Sequence, residues 1–492
     1  MLAINLDTTI VNVALPSISR ELDAGTRQLQ WVVDGYNLAF AALVLAAGSI
    51  SDRYGRRPAL VLGLVGFAAA SAVGALVTSA GALVLARVAM GGFAALIFPT
   101  TLSIISNTFR DRKQRAAALG VWGAVVGIGV AAGPVTGGVL LEHFYWGSVF
   151  LALVPLALVA ALAAFLIVPE SRDPHVPPLD LAGLGLSVAM LSTLTFTIIE
   201  GPAHGWRSSE TLGGFAISAV LLVLFVAVEQ RVAHPMLDVS LFRDPRFSAA
   251  SGAVTVTFFA LLGFIFLITQ YFQFIRGYGT LSTGARILPV ATSIAVASVL
   301  GAILAPRIGT KAVVTTGLVS FGSAFLWIST VDVDAPYATV IVPQMILLGL
   351  GMGLISTPAT ESILLVLPPA RAGVGSAVND ATRELGGTLG VAVVGSIFSS
   401  VYAAHLADGI FGQLPAGTLV QAQDSVGVAQ AVGAGSPALT AAMQDAFLAG
   451  LSTSCVAIGL LCFAGALAAL VTLPGRLAAP AGDLSEELPL SV

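Results

Sequence analysis

The feature that most constrains this chain is a series of apolar runs that recur from end to end, each long enough to cross a bilayer. About 30 Å of hydrocarbon requires roughly 20 apolar residues in a helix. Hydrophobic residues make up 57% of the chain and charged residues 10%, whereas a soluble domain carries about 25% charge. The sequence therefore excludes a soluble enzyme and predicts an all-α integral membrane protein.

The apolar runs predict fourteen transmembrane helices, with each end placed to within about four residues. The predicted spans are 1–19, 30–51, 58–78, 81–106, 114–138, 147–168, 179–199, 211–229, 247–274, 284–305, 312–330, 337–360, 372–402 and 446–473. With the N-terminus inside, fifteen of the 22 Lys and Arg residues fall in cytoplasmic segments and five on the opposite side. This bias obeys the positive-inside rule and predicts that both termini are cytoplasmic.

A short charged loop separates the second and third spans, and it contains Gly48, Asp52, Arg53, Gly55 and Arg56. Glycines allow two helices to approach closely at a turn, and the carboxylate can pair with an arginine. The segment resembles the loop between helices two and three of the major facilitator superfamily, G-x-L-a-D-R-x-G-R-r. The resemblance implies that these residues gate the conformational change of a transporter.

A weaker copy of this loop, at residues 301–311, indicates an internal repeat. The resemblance then implies a major facilitator fold with two six-helix halves and two inserted central helices. We predict an N-terminal half at 1–170, an inserted hairpin with its flanking loops at 171–245, a C-terminal half at 246–475 and a cytoplasmic tail at 476–492. The outward segment 403–445 is Gly-, Ala- and Gln-rich and is expected to be a partly ordered extracellular loop.

The fifth span carries a glycine motif formed by Gly129, Gly133, Pro134, Gly137 and Gly138. Glycines at i, i+4 and i+8 share one helix face and allow backbone-to-backbone packing, and the proline removes one backbone hydrogen bond. Simple helix packing is one interpretation. The motif also resembles the G-x-x-x-G-P-x-x-G-G signature of the antiporter branch, which implies outward transport and assigns these residues to conformational gating.

The first span contains Asp7 and Asn12 in the segment Leu6-Asp-Thr-Thr-Ile-Val-Asn-Val-Ala-Leu-Pro16. Carboxylates inside a membrane are costly and usually functional, although Asp7 and Asn12 could also serve simply as hydrogen-bonding partners for adjacent helices. The segment resembles the first-helix signature of the fourteen-helix drug:proton antiporters, the EmrB- and QacA-like multidrug exporters. The resemblance implies proton coupling for Asp7 and a substrate contact for Asn12.

Two further charged residues, Asp34 in the second span and Arg87 in the fourth, complete the predicted proton path. An acid in the W-x-x-d-x-Y context resembles a residue that this branch links to protons or cationic drugs, whereas a surface-exposed Asp34 is the competing interpretation. Arg87 needs a partner in hydrocarbon and resembles the arginine of R-x-x-Q-G-x-g-a-A, which is implicated in proton transfer. Met90 replaces the usual Gln, so Arg87 lacks one expected hydrogen-bonding neighbour.

The thirteenth span begins with Asp380, Arg383 and Glu384, which share a helix face at spacings i, i+3 and i+4. One acid is in excess, so Asp380 and Glu384 are candidate substrate-binding residues; an internally neutralised structural triad is the alternative. Glu200, at the end of the seventh span, is interpreted as part of a loop signature. The two cysteines, Cys455 and Cys462, are predicted to be packing residues.

Together these observations predict a proton-coupled exporter of amphipathic or cationic drugs in the inner membrane of a bacterium. A carboxylate desolvated in a helical bundle favours its neutral form and can carry a proton. We expect no cofactor, no metal, no nucleic-acid partner and no enzymatic activity, with the substrate, protons and lipid bilayer as partners of a monomer. The alternatives are a same-fold exporter of one metabolite or self-made antibiotic, and a non-transporting receptor or scaffold.

Overall fold

The computed structural model describes residues 1–109, 112–172, 179–365 and 372–473. Within these ranges the chain is helical and thirteen segments are long and apolar enough to cross a membrane. The N-terminal helices are α1 (Leu2–Glu21), α2 (Thr26–Tyr54), α3 (Arg56–Leu76), α4 (Ala80–Thr108), α5 (Arg112–His143), α6 (Ser148–Leu151) and α7 (Leu153–Ile167).

The remaining helices follow the same up-and-down course. They are α8 (Leu181–His204), α9 (Ser209–Glu229), α10 (Pro245–Gln270), α11 (Thr280–Ile308), α12 (Thr310–Ile328), α13 (Val342–Leu365), α14 (Ala372–Asp408), α15 (Ala416–Asp424), α16 (Val426–Gly433) and α17 (Pro437–Thr472). The helices α6 and α7 form one span, and π-helical turns extend α10 to Ile275 and begin α13 at Tyr337. The thirteen qualifying spans coincide with predicted ones; α5 is the remaining helix at a predicted span.

The first six spans and the last six pack in the same order. In the first set, α1 packs on α5, α2 on α4, and α3 on both α4 and α7; in the second set, α10 packs on α14, α11 on α13, and α12 on both α13 and α17. The two sets meet where α5 packs on α11 and α2 on α14. Equivalent contacts in both sets, and equivalent contacts between them, are the geometry expected of an internal repeat.

Two turns show the same repeat in their backbone conformation. Gly55 joins α2 to α3 with φ of 118°, and Gly309 joins α11 to α12 with φ of 93°. Residues other than glycine rarely adopt such angles. The charged loop and its weaker copy at 301–311 therefore have related turn geometries, as the sequence repeat suggested.

The hairpin of α8 and α9 lies against the junction of the two sets, because α8 packs on both α2 and α14. Small hydrophobic clusters fill this contact, one around Leu38 and Leu191 and another around Ile198 and Ala392. Most of the α9 surface is left exposed, which is the character of a helix that faces lipid.

The segment 403–445 corrects the prediction of a partly ordered loop. α14 continues to Asp408, a 3₁₀ turn and the helices α15 and α16 follow, and α17 begins at Pro437. The short helices bury Phe411, Ala422 and Val426. The sequence pattern was misleading because each short helix has too few apolar residues to show a period, and its burial depends on distant helices.

Candidate functional site

The centre of the candidate site is an ion pair between Asp7 on α1 and Arg87 on α4. The Nη1 atom of Arg87 donates to Oδ2 of Asp7 at 2.6 Å, and both side chains are fully buried. Opposite charges at this distance, removed from water, hold each other strongly, and removing one leaves the other uncompensated. The prediction that Arg87 needs a buried partner is therefore met by Asp7.

Arg87 is held by α2 as well as by α1. Its Nε atom donates to the carbonyl of Val32 at 2.9 Å, and its guanidinium lies 4.4 Å from the ring centroid of Tyr36, a cation–π distance. Met90 is buried beside it in place of a glutamine. The sequence suggested that Arg87 lacks a hydrogen-bonding neighbour. In the structure, the Val32 carbonyl and the Tyr36 ring contact its guanidinium.

Close packing of α2 and α4 makes these contacts possible. Gly91 lies directly against the backbone of Tyr36, and a Cβ at Gly91 would stand 3.0 Å from the Tyr36 Cα atom. Real Cβ atoms rarely approach so closely. A larger residue at position 91 would push α4 away from Tyr36 and with it the guanidinium of Arg87.

Asp34 lies on a different face of α2. It is fully buried, which excludes the surface-exposed interpretation, and neither carboxyl oxygen has a hydrogen-bond partner among the described residues. Helical spacing puts Asp34 on the face of Gln30, four residues earlier, and Gln30 donates to the carbonyl of Ala392 on α14 at 3.1 Å. Helical spacing therefore puts Asp34 on the face of α2 that meets α14, opposite the face that Val32 and Tyr36 turn to Arg87.

Asn12 makes its hydrogen bond within α1. Its Nδ2 atom donates to the carbonyl of Thr8 at 2.9 Å, and its Oδ1 atom is buried without a partner among the described residues. The structure thus shows no bond from Asn12 to an adjacent helix in the described part of the chain, which leaves the carbonyl oxygen free to accept a ligand.

The acids of α14 form a looser group than the first pair. Arg383 lies 3.9 Å from Asp380 and 4.5 Å from the ring centroid of Phe258. Asp380 is buried, whereas Glu384 is partly buried and close enough to Tyr36 to act on it electrostatically. The predicted shared face is observed, and it brings these acids to the side of α14 that faces α2.

The glycines of α5 face two different helices. Gly129, Gly133 and Gly137 lie on α1, where added Cβ atoms would stand 2.9 Å from Asn5 Cβ, 3.0 Å from the Leu6 carbonyl oxygen and 2.8 Å from Ile10 Cγ1. This close contact along one face is the packing that the i, i+4, i+8 spacing predicts. It presses α5 against the helix that carries Asp7.

Pro134 and Gly138 face α11, in the second set of spans. The hydroxyl of Thr280 donates to the carbonyl of Gly138 at 3.1 Å, and Gly284 packs against the Pro134 carbonyl. Proline leaves one helical carbonyl without its usual donor, and glycine allows the second backbone to approach. The motif thus joins the two sets of spans as well as packing α5 on α1.

Among the described residues, the hydrogen bonds between the two sets lie at one end of the bundle, which we call the closed end. It contains the α1–α2 and α10–α11 turns. Gln273 donates to the Val13 carbonyl at 2.9 Å, Gln30 bonds α14, and the hydroxyls of Ser19 and Ser425 are 3.3 Å apart.

The charged loop lies at the opposite end of the bundle. Asp52 accepts a hydrogen bond from Arg56 at 2.7 Å, as expected of a carboxylate beside arginines. Arg53 stacks on Tyr54, and Gly48 packs against Pro99 of α4. The Arg56 N–H also donates to the carbonyl of Ser171, in the segment that leads to α8, at 2.9 Å. Among the described residues, the loop makes no hydrogen bond to the second set of spans.

Comparison with known proteins agrees with this architecture. Residues 1–391 match the Major Facilitator Superfamily. The chain belongs to the major facilitator superfamily. It is 36% identical to the multidrug efflux pump LfrA of Mycolicibacterium smegmatis, over 95% of this chain and 93% of that protein. It is 29% identical to the tetracenomycin C resistance and export protein of Streptomyces glaucescens, over 100% and 92%.

A third relative and a solved structure extend the comparison. The puromycin resistance protein pur8 of Streptomyces alboniger is 33% identical over 90% of this chain and 88% of its own. A bacterial homologue of the human lysosomal transporter Spinster, in an inward-facing and unoccupied conformation, superposes with a TM-score of 0.67 at 16% identity, over 98% and 96% of the two chains. The protein is a multi-pass transporter of the major facilitator fold.

Sequence reasoning missed several residues that join the parts of this superfamily member. Glu200 lies inside α8 rather than in a loop, and it accepts hydrogen bonds from Arg27 at 2.8 Å and Trp31 at 3.4 Å. Gln30 and Gln273 bond the two sets of spans. Gln273 lies within its predicted apolar run, where a polar side chain was the available signal. Gln30 and Glu200 lie at the ends of their runs, where a polar side chain gives no such signal.

Proposed function

We propose that this protein is a proton-coupled antiporter of the fourteen-helix branch, which expels amphipathic or cationic drugs and dyes. The observation that carries the proposal is the buried Asp7–Arg87 pair together with the buried Asp34, which has no partner among the described residues. Its relatives include a multidrug efflux pump and a puromycin resistance protein, which support this substrate class.

Asp34 and Asp7 differ in the partners that their carboxyl groups can bind. Asp34 lies in the contact of α2 with α14, where an isolated negative charge is costly. Its carboxyl is most stable either with a proton or beside a cation, so a proton and a cationic substrate compete for it. Asp7 already has a cation in Arg87, and its protonation would release the guanidinium from the pair.

Movement of the two sets of spans supplies the second half of the proposed cycle. The closed end is joined by Gln30, Gln273 and the α5–α11 contact, whereas the charged loop at the other end makes no hydrogen bond to the second set of spans in the described part of the chain. Arginines concentrate at that other end, so we assign it to the cytoplasm with both termini. This conformation is then inward-facing, and opening the closed end would release substrate outside.

The number of spans, the location and the energy source complete the proposed transporter. We assign α5, with its 32 residues, as the fourteenth span, because about 20 helical residues suffice to cross the membrane. We propose the inner membrane of a bacterium as the location, a monomer as the working unit, and the proton gradient, without a cofactor, as the energy source.

The test is efflux of ethidium from energised cells, with and without a protonophore, for the wild type and the Asp7→Asn, Asp34→Asn and Asp334→Asn variants. Asp334 is an exposed acid in the α12–α13 loop and serves as the control. We expect efflux to stop with the protonophore and in the first two variants, and to persist in the third. Efflux that survives in both buried variants would refute the assigned proton path.

A dedicated exporter of one self-made antibiotic or metabolite is the second candidate, favoured by the relative from Streptomyces glaucescens whose name includes tetracenomycin C export. Normal membrane expression without efflux of ethidium or other dyes would support this candidate. A receptor that does not transport would also fail to export dye. A growth assay separates the two, because the dedicated exporter would make cells resistant to its antibiotic and the receptor would not.

A further inference from the structure

Two carboxyl groups, outside the site described above, meet where the inserted hairpin begins and ends. Asp180 precedes α8 and Glu229 is the last residue of α9. Oδ1 of Asp180 accepts a hydrogen bond from the Gly183 N–H at 2.8 Å, and Oε2 of Glu229 accepts one from the Leu237 N–H at 3.0 Å. Each carboxyl group therefore uses one oxygen to hold backbone.

The second oxygens of the two carboxyl groups lie near the same point on α8. Asp180 Oδ2 and Glu229 Oε1 are buried and have no hydrogen-bond partner among the described residues, and Glu229 as a whole is 2% exposed. Both oxygens lie beside the position that a Cβ on Gly183 would occupy, so they are no more than about 5 Å apart. The other groups that face Glu229 are the N–H groups of Met236 and Leu237.

We propose that Asp180 and Glu229 form a proton-binding site, in which one proton bridges Asp180 Oδ2 and Glu229 Oε1. Two charged carboxylates so close together, away from water, repel each other strongly. A single proton removes that repulsion and gives both oxygens a charge-assisted hydrogen bond.

A proton fits this geometry better than a metal ion does. Mg²⁺ and Ca²⁺ take six or more oxygen ligands, and no group of three or more His, Cys, Asp or Glu side chains converges anywhere in the described ranges. The two free oxygens match the needs of one shared proton.

The site fastens the hairpin to the second set of spans. It joins the start of α8, the end of α9 and the segment at Leu237 that leads to α10. With the proton bound, these three backbones are held together. Loss of the proton at high pH would leave two facing negative charges and loosen the end of the hairpin that lies beside the charged loop.

Amide substitutions test the shared proton directly. Asp180→Asn or Glu229→Gln alone replaces the bridging proton with an N–H donor, whereas the double variant sets two donors face to face. We expect each single variant of the purified full chain to melt at the wild-type temperature at neutral pH, and the double variant to melt roughly 2–4 °C lower.

Alanine substitutions supply the matched comparison. Gly183→Ala would put a methyl group between the two oxygens, whereas Gly185→Ala, two residues later on α8, meets no atom within 4 Å. We expect the first to lower the melting temperature and the second to leave it unchanged or higher. Equal melting of the two alanine variants would overturn the proposal.

Two further outcomes would also overturn it. If each single amide variant melts as low as the double variant, the site requires both negative charges, as a bound cation would. A rise in wild-type melting temperature on addition of MgCl₂ or NaCl that both single variants lose would identify that cation.

Discussion

The contact of Gly284 with Pro134 offers a quantitative test of how the closed end is held. An alanine Cβ at position 284 would stand 2.6 Å from the Pro134 carbonyl carbon and 3.2 Å from the Val135 nitrogen. Ordinary Cβ contacts begin near 3.4 Å, so α5 and α11 must separate. Overpacking of this kind costs about 1–3 kcal/mol.

That cost acts on the closed conformation, because opening this end separates the two helices. Each 1.4 kcal/mol changes an equilibrium constant tenfold. We therefore expect Gly284→Ala to shift the equilibrium between the closed and open conformations toward the open one by roughly 5- to 150-fold. A Gly252→Ala variant on α10 is the matched control, since its Cβ meets nothing within 4 Å.

The assay is the rate at which a reporter cysteine reacts with a maleimide added outside the cell. Ser399→Cys is suitable, because Ser399 is buried near the closed end of α14 and its hydroxyl has no partner among the described residues. Cys455 and Cys462, both buried and free, are first replaced by alanine. Labelling should accelerate in the Gly284→Ala variant and not in the control; equal rates in the two variants would refute the packing argument.

Three further experiments test individual contacts. Arg87→Ala should lower the free energy of unfolding by about 3–5 kcal/mol, because Asp7 would be left as an unpaired buried charge. In thermal melts, adding Asp7→Asn to this variant should recover most of the loss. Losses that add in the double variant would contradict the pairing. Glu200→Gln should lower the free energy of unfolding by only about 0.2–1 kcal/mol, since the side chain of its partner Arg27 is 37% exposed. A loss as large as that of Arg87→Ala would contradict this expectation. The double variant Ser19→Cys, Ser425→Cys should form an intramolecular disulfide on oxidation, because the two serine hydroxyls are 3.3 Å apart. Mass spectrometry should detect this disulfide in the double variant and in neither single variant. Its absence from the double variant would show that the two segments are not in contact.

Much of the architecture could be predicted from local sequence. Each spanning helix satisfies its own backbone hydrogen bonds, so an apolar run of sufficient length predicts a helix without knowledge of its neighbours. Glycine spacing on α5 predicted close packing, and Arg87 in hydrocarbon required a buried partner. The cysteines, Cys455 and Cys462, are buried packing residues as predicted.

Other features depended on which helices meet. The sequence grouped Asp7 and Asp34 as one acid cluster. Val32 and Tyr36 face Arg87, whereas helical spacing puts Asp34 on the opposite side of α2, with Gln30, which bonds α14. A helix face is assigned to a neighbour only by the tertiary fold, because every face of a membrane helix can be apolar.

The sequence predicted the thirteen spans found in the described ranges and the buried charges that need partners, since both follow from the cost of polar groups in hydrocarbon. The tertiary structure decided the pairing of Asp7 with Arg87, the attachment of α8 through Glu200 and the placement of Asp180 and Glu229 beside Gly183. These contacts join residues distant in the chain, and no local pattern encodes which distant side chain completes a buried polar group.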